Sequence, residues 1–217
     1  MKLISLSYNL NKNTPSYGGR HKIKIAQYER IQDGSTANSF MVEFYNHIGT
    51  HIDCPNHFYN DGLKISDFDI NYFIFNEPQI IDVDLSSKNE IDIDNLSEPC
   101  IHSSDIIFFR TYFSKKRKSE DYIKNYPVFK LQLVNHLKKK CKNLRAIGFD
   151  IISLTSPLNK NEGKEAHKIL LGSDNPILIV EDMKLDVYDN KISKILISPY
   201  FFEEIDSAPC SVYGIIE

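Results

Sequence analysis

From residue 80 onward the chain carries a series of short apolar runs: Ile80-Ile81-Asp82-Val83, Ile106-Ile107-Phe108-Phe109, Ala146-Ile147-Gly148-Phe149, Ile177-Leu178-Ile179-Val180 and Ile195-Leu196-Ile197. Runs of this length, rich in β-branched and aromatic side chains, predict buried strands, because a branched Cβ fits a pleated surface and loses freedom in a helix. A different period lies between the second and third runs, after Pro127. There Val134, Leu137, Cys141 and Leu144 follow helical spacing, with Lys138, Lys139 and Lys140 on the other side, predicting an amphipathic helix. A second, short helix is expected around Ala166-His167-Lys168-Ile169-Leu170-Leu171. Strands interleaved with helix predict an α/β or α+β architecture. No internal repeat and no linker rich in Pro, Gly or Ser divides the chain, so residues 1–217 are expected to form a single domain.

Composition narrows the class. With 217 residues, 41% of them hydrophobic and 25% charged, the chain can bury its own core without a disulfide or metal staple. Lys and Arg total 26 against 29 Asp and Glu, a net charge of -3 that argues against a nucleic-acid partner. The basic clusters Lys115-Lys116-Arg117-Lys118 and Lys138-Lys139-Lys140 are read as a solvated loop and the polar face of a helix. Cys54, Cys100, Cys141 and Cys210 include no CxxC pair, which fits a reduced chain better than a disulfide framework or a zinc ribbon. The apolar stretch at residues 3–6 is too short for a secretory signal, and no run approaches the ~18 apolar residues that cross a bilayer. A cytoplasmic protein with no membrane partner is expected.

Candidate chemistry concentrates in one segment. Of the seven histidines, three fall within His47-Ile48-Gly49-Thr50-His51-Ile52-Asp53-Cys54-Pro55-Asn56-His57, where random placement would put well under one. Imidazole and carboxylate together are ligands for zinc, manganese or iron. Gly49, Thr50, Ile52 and Pro55 make a poor helix. In an extended chain His47, His51, Asp53 and His57 share one face, and Ile48 and Ile52 point into a core. A straight strand would separate His47 from Asp53 by roughly 20 Å at about 3.3 Å per residue, so the chain must bend, and Gly49 and Pro55 permit it. A second contribution is expected from His167 and from Val180-Glu181-Asp182, since open α/β sheets place functional groups at strand ends. His102 and His136 are read as surface or capping residues.

The string His47 to His57 matches HxGTHxDxPxH at all seven fixed positions. It resembles the signature of the cyclase family of metal-dependent hydrolases, which includes bacterial kynurenine formamidase and isatin hydrolase. Asp105-Ile106-Ile107-Phe108-Phe109-Arg110-Thr111, Ala146-Ile147-Gly148-Phe149-Asp150 with Ser153, and His167-Lys168-Ile169-Leu170-Leu171 resemble further family segments. The resemblance implies a swivelling β/β/α fold, a homodimer or higher homo-oligomer, and one or two divalent ions per chain, zinc first and manganese or iron next. Carried over residue by residue, it implies that His47, His51 and Asp53 hold a first ion. Asp53 would bridge to a second ion held by His167, with Glu181 as the shared carboxylate and His57 as general acid and base. The implied reaction is hydrolysis of a small-molecule amide, formamide, lactam or ester by metal-activated water, arylformamidase being the best-known special case. Thr50 is expected to support the ligands by hydrogen bonding rather than to react.

The chain departs from the family pattern at three places. The span from His167 to Glu181, through Ser173-Asp174-Asn175-Pro176, is slightly long, which leaves Asp182 as the alternative ligand should Glu181 be displaced. There is no Trp to stack on a substrate ring, Tyr17 being the available aromatic. The C-terminal Ser207-Ala208-Pro209-Cys210-Ser211 lacks the family's Arg, so a substrate carboxylate loses that partner. A binding protein that keeps the ions without turnover would not require His57. A cyclase or dehydratase using the same ions would polarise the same carbonyl.

Overall fold

The computed structural model describes residues 2–172, 175–186 and 192–216. In chain order the strands are β1 (Lys2–Ser5), β2 (Lys24–Glu29), β3 (Ser39–Glu43), β4 (His51–Asp53), β5 (Ile74–Phe75), β6 (Pro78–Asp82), β7 (Glu90–Ile91), β8 (Ile106–Arg110), β9 (Val128–Phe129), β10 (Ala146–Phe149), β11 (Leu178–Glu181), β12 (Lys194–Pro199) and β13 (Ser207–Ile216). The helices are α1 (Asp121–Lys124), α2 (Leu131–Lys140) and α3 (Lys160–Leu171). Nine strands form one sheet in the order β5-β12-β13-β4-β11-β10-β8-β6, with β1 added on β13. Strands β6, β8, β10 and β11 run parallel, and β4 lies antiparallel between β11 and β13.

Each apolar run predicted as a strand is one. In β8, β10 and β11 the unbroken apolarity follows from burial on both faces. Ile107, Phe109, Ile147, Phe149 and Ile179 pack against α2 and α3 through Leu133, Val134, Leu137, Ala166 and Leu170. Their neighbours Ile106, Phe108, Ala146, Leu178 and Val180 join Ile52, Phe73, Phe75, Ile195 and Val212 in a second core on the other side. This is the α/β class expected. Among the described residues no helix is long and apolar enough to cross a membrane, and all four cysteines are free and buried.

Three expectations are corrected. Helix α2 ends at Lys140, where the Cys141 backbone breaks from helical geometry, although Cys141 and Leu144 stay buried. Lys138 is not simply part of a solvated face: its Nζ donates to the carbonyls of Leu170, Gly172 and Asn175 at 3.1, 3.0 and 2.8 Å. A cation there satisfies carbonyls at and just beyond the C-terminal end of α3. Arg117, expected in a solvated loop, is drawn inward to Asp182.

Helix α3 carries His167 and starts from Asn159, whose side chain accepts from the Glu162 amide. Its approach to the sheet is set by Gly163, where an added Cβ would lie 2.5 Å from Thr155 Cα. Gly163→Ala is therefore expected to destabilise by ~1–3 kcal/mol through overpacking. A urea denaturation midpoint equal to that of the unsubstituted protein would show that α3 is not held so closely.

Candidate metal centre

Strand β4 is three residues long and fully enclosed. Ile52 points into the second core, so alternation turns His51 and Asp53 to the opposite side. Register then supplies neighbours. On β11, Glu181 lies opposite His51, and on β13, Ser207 lies opposite Asp53. The two bends required by the sequence are present. Gly49 adopts φ 64, where an added Cβ would meet Leu10 Cδ2 at 2.4 Å, and Pro55 opens a single 3-10 turn, Pro55–His57. The segment wraps around β4, bringing the His47 ring centroid 5.3 Å from His51 and 4.2 Å from His57. His167 arrives from α3, its ring 5.8 Å from that of His57.

The donor atoms converge. His51 Nδ1 lies 2.8 Å from the Gly49 carbonyl, and His167 Nδ1 lies 2.8 Å from the Gly163 carbonyl. A carbonyl only accepts, so each ring carries its proton on Nδ1 and, when neutral, presents a bare Nε2 to the cluster. His51 Nε2 is 3.6 Å from Asp53 Oδ1 and 3.4 Å from Glu181 Oε2. His167 Nε2 is 3.8 Å from Asp53 Oδ2 and 3.6 Å from Glu181 Oε1. His47 Nδ1 is 3.0 Å from Asp53 Oδ1. Among the described residues His51 Nε2, Asp53 Oδ1 and Ser207 Oγ are buried without a hydrogen-bond partner. Buried polar atoms are rarely left unpaired. Lone pairs of imidazole and carboxylate aimed at common points are what a divalent cation satisfies, so the residues fit a metal.

The five expected ligands are thus gathered, in a grouping that differs from the resemblance. Ligand atoms of His51, Asp53 and Glu181 lie within 4.8 Å of one another, and those of His47, Asp53 and His57 form a second such set. Asp53 belongs to both. Electrostatics report the same demand for positive charge. Burial disfavours the imidazolium of His47, but Asp53 and Asp206 overcome it and raise the group to about 11. Burial likewise opposes charge on His51, which Glu181 and Asp53 raise. Against burial, the imidazoles hold Asp53 well below the usual carboxylate range and Glu181 at about 2.

Asp206 escaped the sequence reading. Its Oδ2 lies 2.6 Å from His57 Nδ1 and 2.9 Å from His47 Nε2, and Asn46 Nδ2 donates to Oδ1 at 2.7 Å. Its only sequence signal is a position immediately before Ser207. Thr50 Oγ1 donates to the Asp182 carbonyl at 2.6 Å and accepts from the Tyr8 amide at 3.1 Å, tying β4 to the strand end that carries Glu181. His102 is exposed and His136 half-buried, both away from the site. The cluster floors a cavity of about 240 Å³ walled by Tyr17, Tyr45, Phe58, Ile152, Thr155 and Lys164.

Asp182, the expected substitute for Glu181, faces elsewhere; residues 173 and 174 of the long span lie outside the described residues. The Asp182 carboxylate accepts from Arg117 Nε and Nη2 at 2.8 and 2.6 Å and from the Tyr122 hydroxyl at 2.5 Å. Removing one partner of a buried ion pair strands the other charge. Arg117→Ala is expected to cost ~3–5 kcal/mol in unfolding free energy; a loss below 1 kcal/mol would contradict this pairing.

The family model described as "Putative cyclase" matches residues 4–155. Kynurenine formamidase of Bacillus cytotoxicus is 27% identical over 206 residues, covering 95% of this chain and 93% of its own. The Bacillus cereus enzyme of that name is 26% identical with the same coverage. Isatin hydrolase A from Labrenzia aggregata, bound to benzyl benzoate, superposes with a TM-score of 0.81 at 14% identity, covering 99% of this chain and 93% of its own. A "predicted metal-dependent hydrolase" from Bacillus stearothermophilus gives 0.78 at 19%, over 98% and 97%. With the family model matched over more than half of its length, the chain belongs to the cyclase family.

Proposed function

We propose that this protein is a metal-dependent hydrolase of a small-molecule amide, formamide, lactam or ester carbonyl, acting chiefly on carbon–nitrogen bonds. The observation that carries the reading is the buried His51 Nε2, left without a hydrogen-bond partner and facing the Asp53 and Glu181 carboxylates at the base of a substrate-sized cavity. The kynurenine formamidase relatives, alike along nearly the whole chain, support it. His47, His51, Asp53, His167 and Glu181 would hold one or two divalent ions, zinc suiting the donors best and manganese or iron nearly as well. When bound, such ions supply Lewis acidity that polarises a carbonyl and acidifies water.

The chain's own residues do the rest. His57 lines the cavity with its side chain 28% exposed, so it can reach both substrate and solvent. With Nδ1 committed to Asp206, its Nε2 is the atom that takes a proton from the attacking water and returns it to the leaving nitrogen or oxygen. Phe58 covers His167 with stacked rings at 4.8 Å and excludes water from that side. Tyr17, Tyr45 and Phe58 favour a substrate with a planar ring, an arylformamide being the special case. Phe40 and Val42, on one face of β3 and exposed at 57 and 51%, give the β2–β3 hairpin an apolar surface on which a second copy would pack into a homodimer or higher oligomer. A cytoplasmic location is supported by the four free cysteines.

Because His47 holds its proton up to about 11 in the metal-free protein, ion uptake at neutral pH has to displace a proton. Affinity is expected to rise with pH, and calorimetry in buffers of different ionisation enthalpy should read net proton release; uptake without release would refute the ligand role of His47. Across a panel of formanilides, lactams and esters, His57→Ala is expected to lower kcat by ~10²–10⁴-fold with metal content retained. Activity that survives both this substitution and chelation would sink the mechanism.

A further inference from the structure

We infer that Asp206 is a positioning residue that fixes the ring orientation and tautomer of His57, the general base assigned above, and of His47 at the same time. The inference rests on the proposed hydrolytic reading but is carried by a separate observation, the sharing of one carboxylate oxygen by two imidazoles.

A carboxylate offers only acceptors, so both ring nitrogens facing Asp206 Oδ2 must carry hydrogen. His57 donates from Nδ1 at 2.6 Å and His47 from Nε2 at 2.9 Å. When neutral, His57 is thereby left with a bare Nε2, the form a general base needs, and His47 with a bare Nδ1, the atom 3.0 Å from Asp53 Oδ1. One acidic group therefore sets which nitrogen of each ring does chemistry. Asp206 is itself held. Asn46 Nδ2 donates to its other oxygen at 2.7 Å, and its carbonyl accepts from the Cys54 amide at 2.9 Å. The next residue, Ser207, is locked opposite Asp53 by strand register. Asp206 is thus tied to the end of β4 through the Cys54 amide and to the start of β13 through Ser207. Its 25% exposed side chain costs less to keep ionised than the enclosed Asp53 or Glu181, which suits a group that serves as an acceptor throughout.

The test compares the wild-type chain with Asp206→Asn, Asp206→Ala and His57→Ala, each loaded with zinc and labelled with ¹⁵N at histidine. In the wild type, NMR should show His57 as the Nδ1–H tautomer with a downfield, hydrogen-bonded ring proton. That signal should vanish in Asp206→Ala and His57→Ala, and the tautomer should become mixed in Asp206→Ala. In hydrolysis of a responsive panel substrate, both Asp206 variants should lose on the order of 100-fold in kcat with KM changed less than about threefold. Placed in the His57→Ala background, either change should cost far less than in the wild type, the remainder being the part exerted through His47. The isosteric Asp206→Asn, checked by its melting curve, guards against a fold that simply fails. An unchanged His57 tautomer, losses that multiply with that of His57→Ala, or loss of one equivalent of zinc from Asp206→Asn would overturn the inference; the last would make Asp206 an ion ligand. Failure of the hydrolytic reading looks different: no panel substrate is turned over, while the tautomer measurement still decides the role of Asp206.

Discussion

Asp53 and Glu181 place two carboxylates, 1% and 3% exposed, beside one another on adjacent strands in the middle of a sheet. Removing a carboxylate from water costs several kcal/mol even after relaxation, and two together add their repulsion. Such a pair persists only where positive charge is built in around it. Three imidazoles, His47, His51 and His167, turn ring nitrogens toward the pair, two with their outer nitrogens anchored on backbone carbonyls and one on Asp206. The rest of the site follows from this constraint. The bend at Gly49, the turn at Pro55 and the close approach of α3 at Gly163 each bring an imidazole to carboxylates that cannot move.

The sheet makes this arrangement rigid. Strand β4 is short, yet its neighbours on both sides are long-range partners, and the cores above and below it are apolar. Arg117, Asp182, Tyr122 and Thr50 form a polar brace behind Glu181, away from the cavity. A charged pair at a strand end thus divides its labour. Glu181 faces His51 and His167, and Asp182 holds the strand end in place.

Much of this was legible before folding because the signals were local. Odd-numbered spacing put His51 and Asp53 on one face of β4, and Gly49 and Pro55 announced the bends by which His47 and His57 reach the same cluster. The apolar runs at β8, β10 and β11 are continuous because both faces are buried. What was not legible depends on register between distant segments. Asp206 is one acid among 29 and acquires meaning only when β13 pairs with β4 across some 150 residues. Strand β13 itself hides behind Ala208, Pro209, Ser211 and Gly214, small or strand-averse residues tolerated because β1, β12 and β4 flank it. The β2–β3 hairpin escaped because its apolar side chains face outward and give no buried pattern. Lys138 and Arg117 were read as solvated because their carbonyl and carboxylate partners come from elsewhere in the chain.

X-ray absorption at the zinc edge tests the central claim most directly. Two buried thiols accompany the imidazoles and carboxylates, Cys54 next to Asp53 in sequence and Cys210 on the neighbouring strand. The account predicts zinc surrounded only by nitrogen and oxygen at about 2.0–2.2 Å, with the bound metal lost in Asp53→Asn. A sulfur scatterer at about 2.3 Å, or zinc retained without the Asp53 carboxylate, would contradict it.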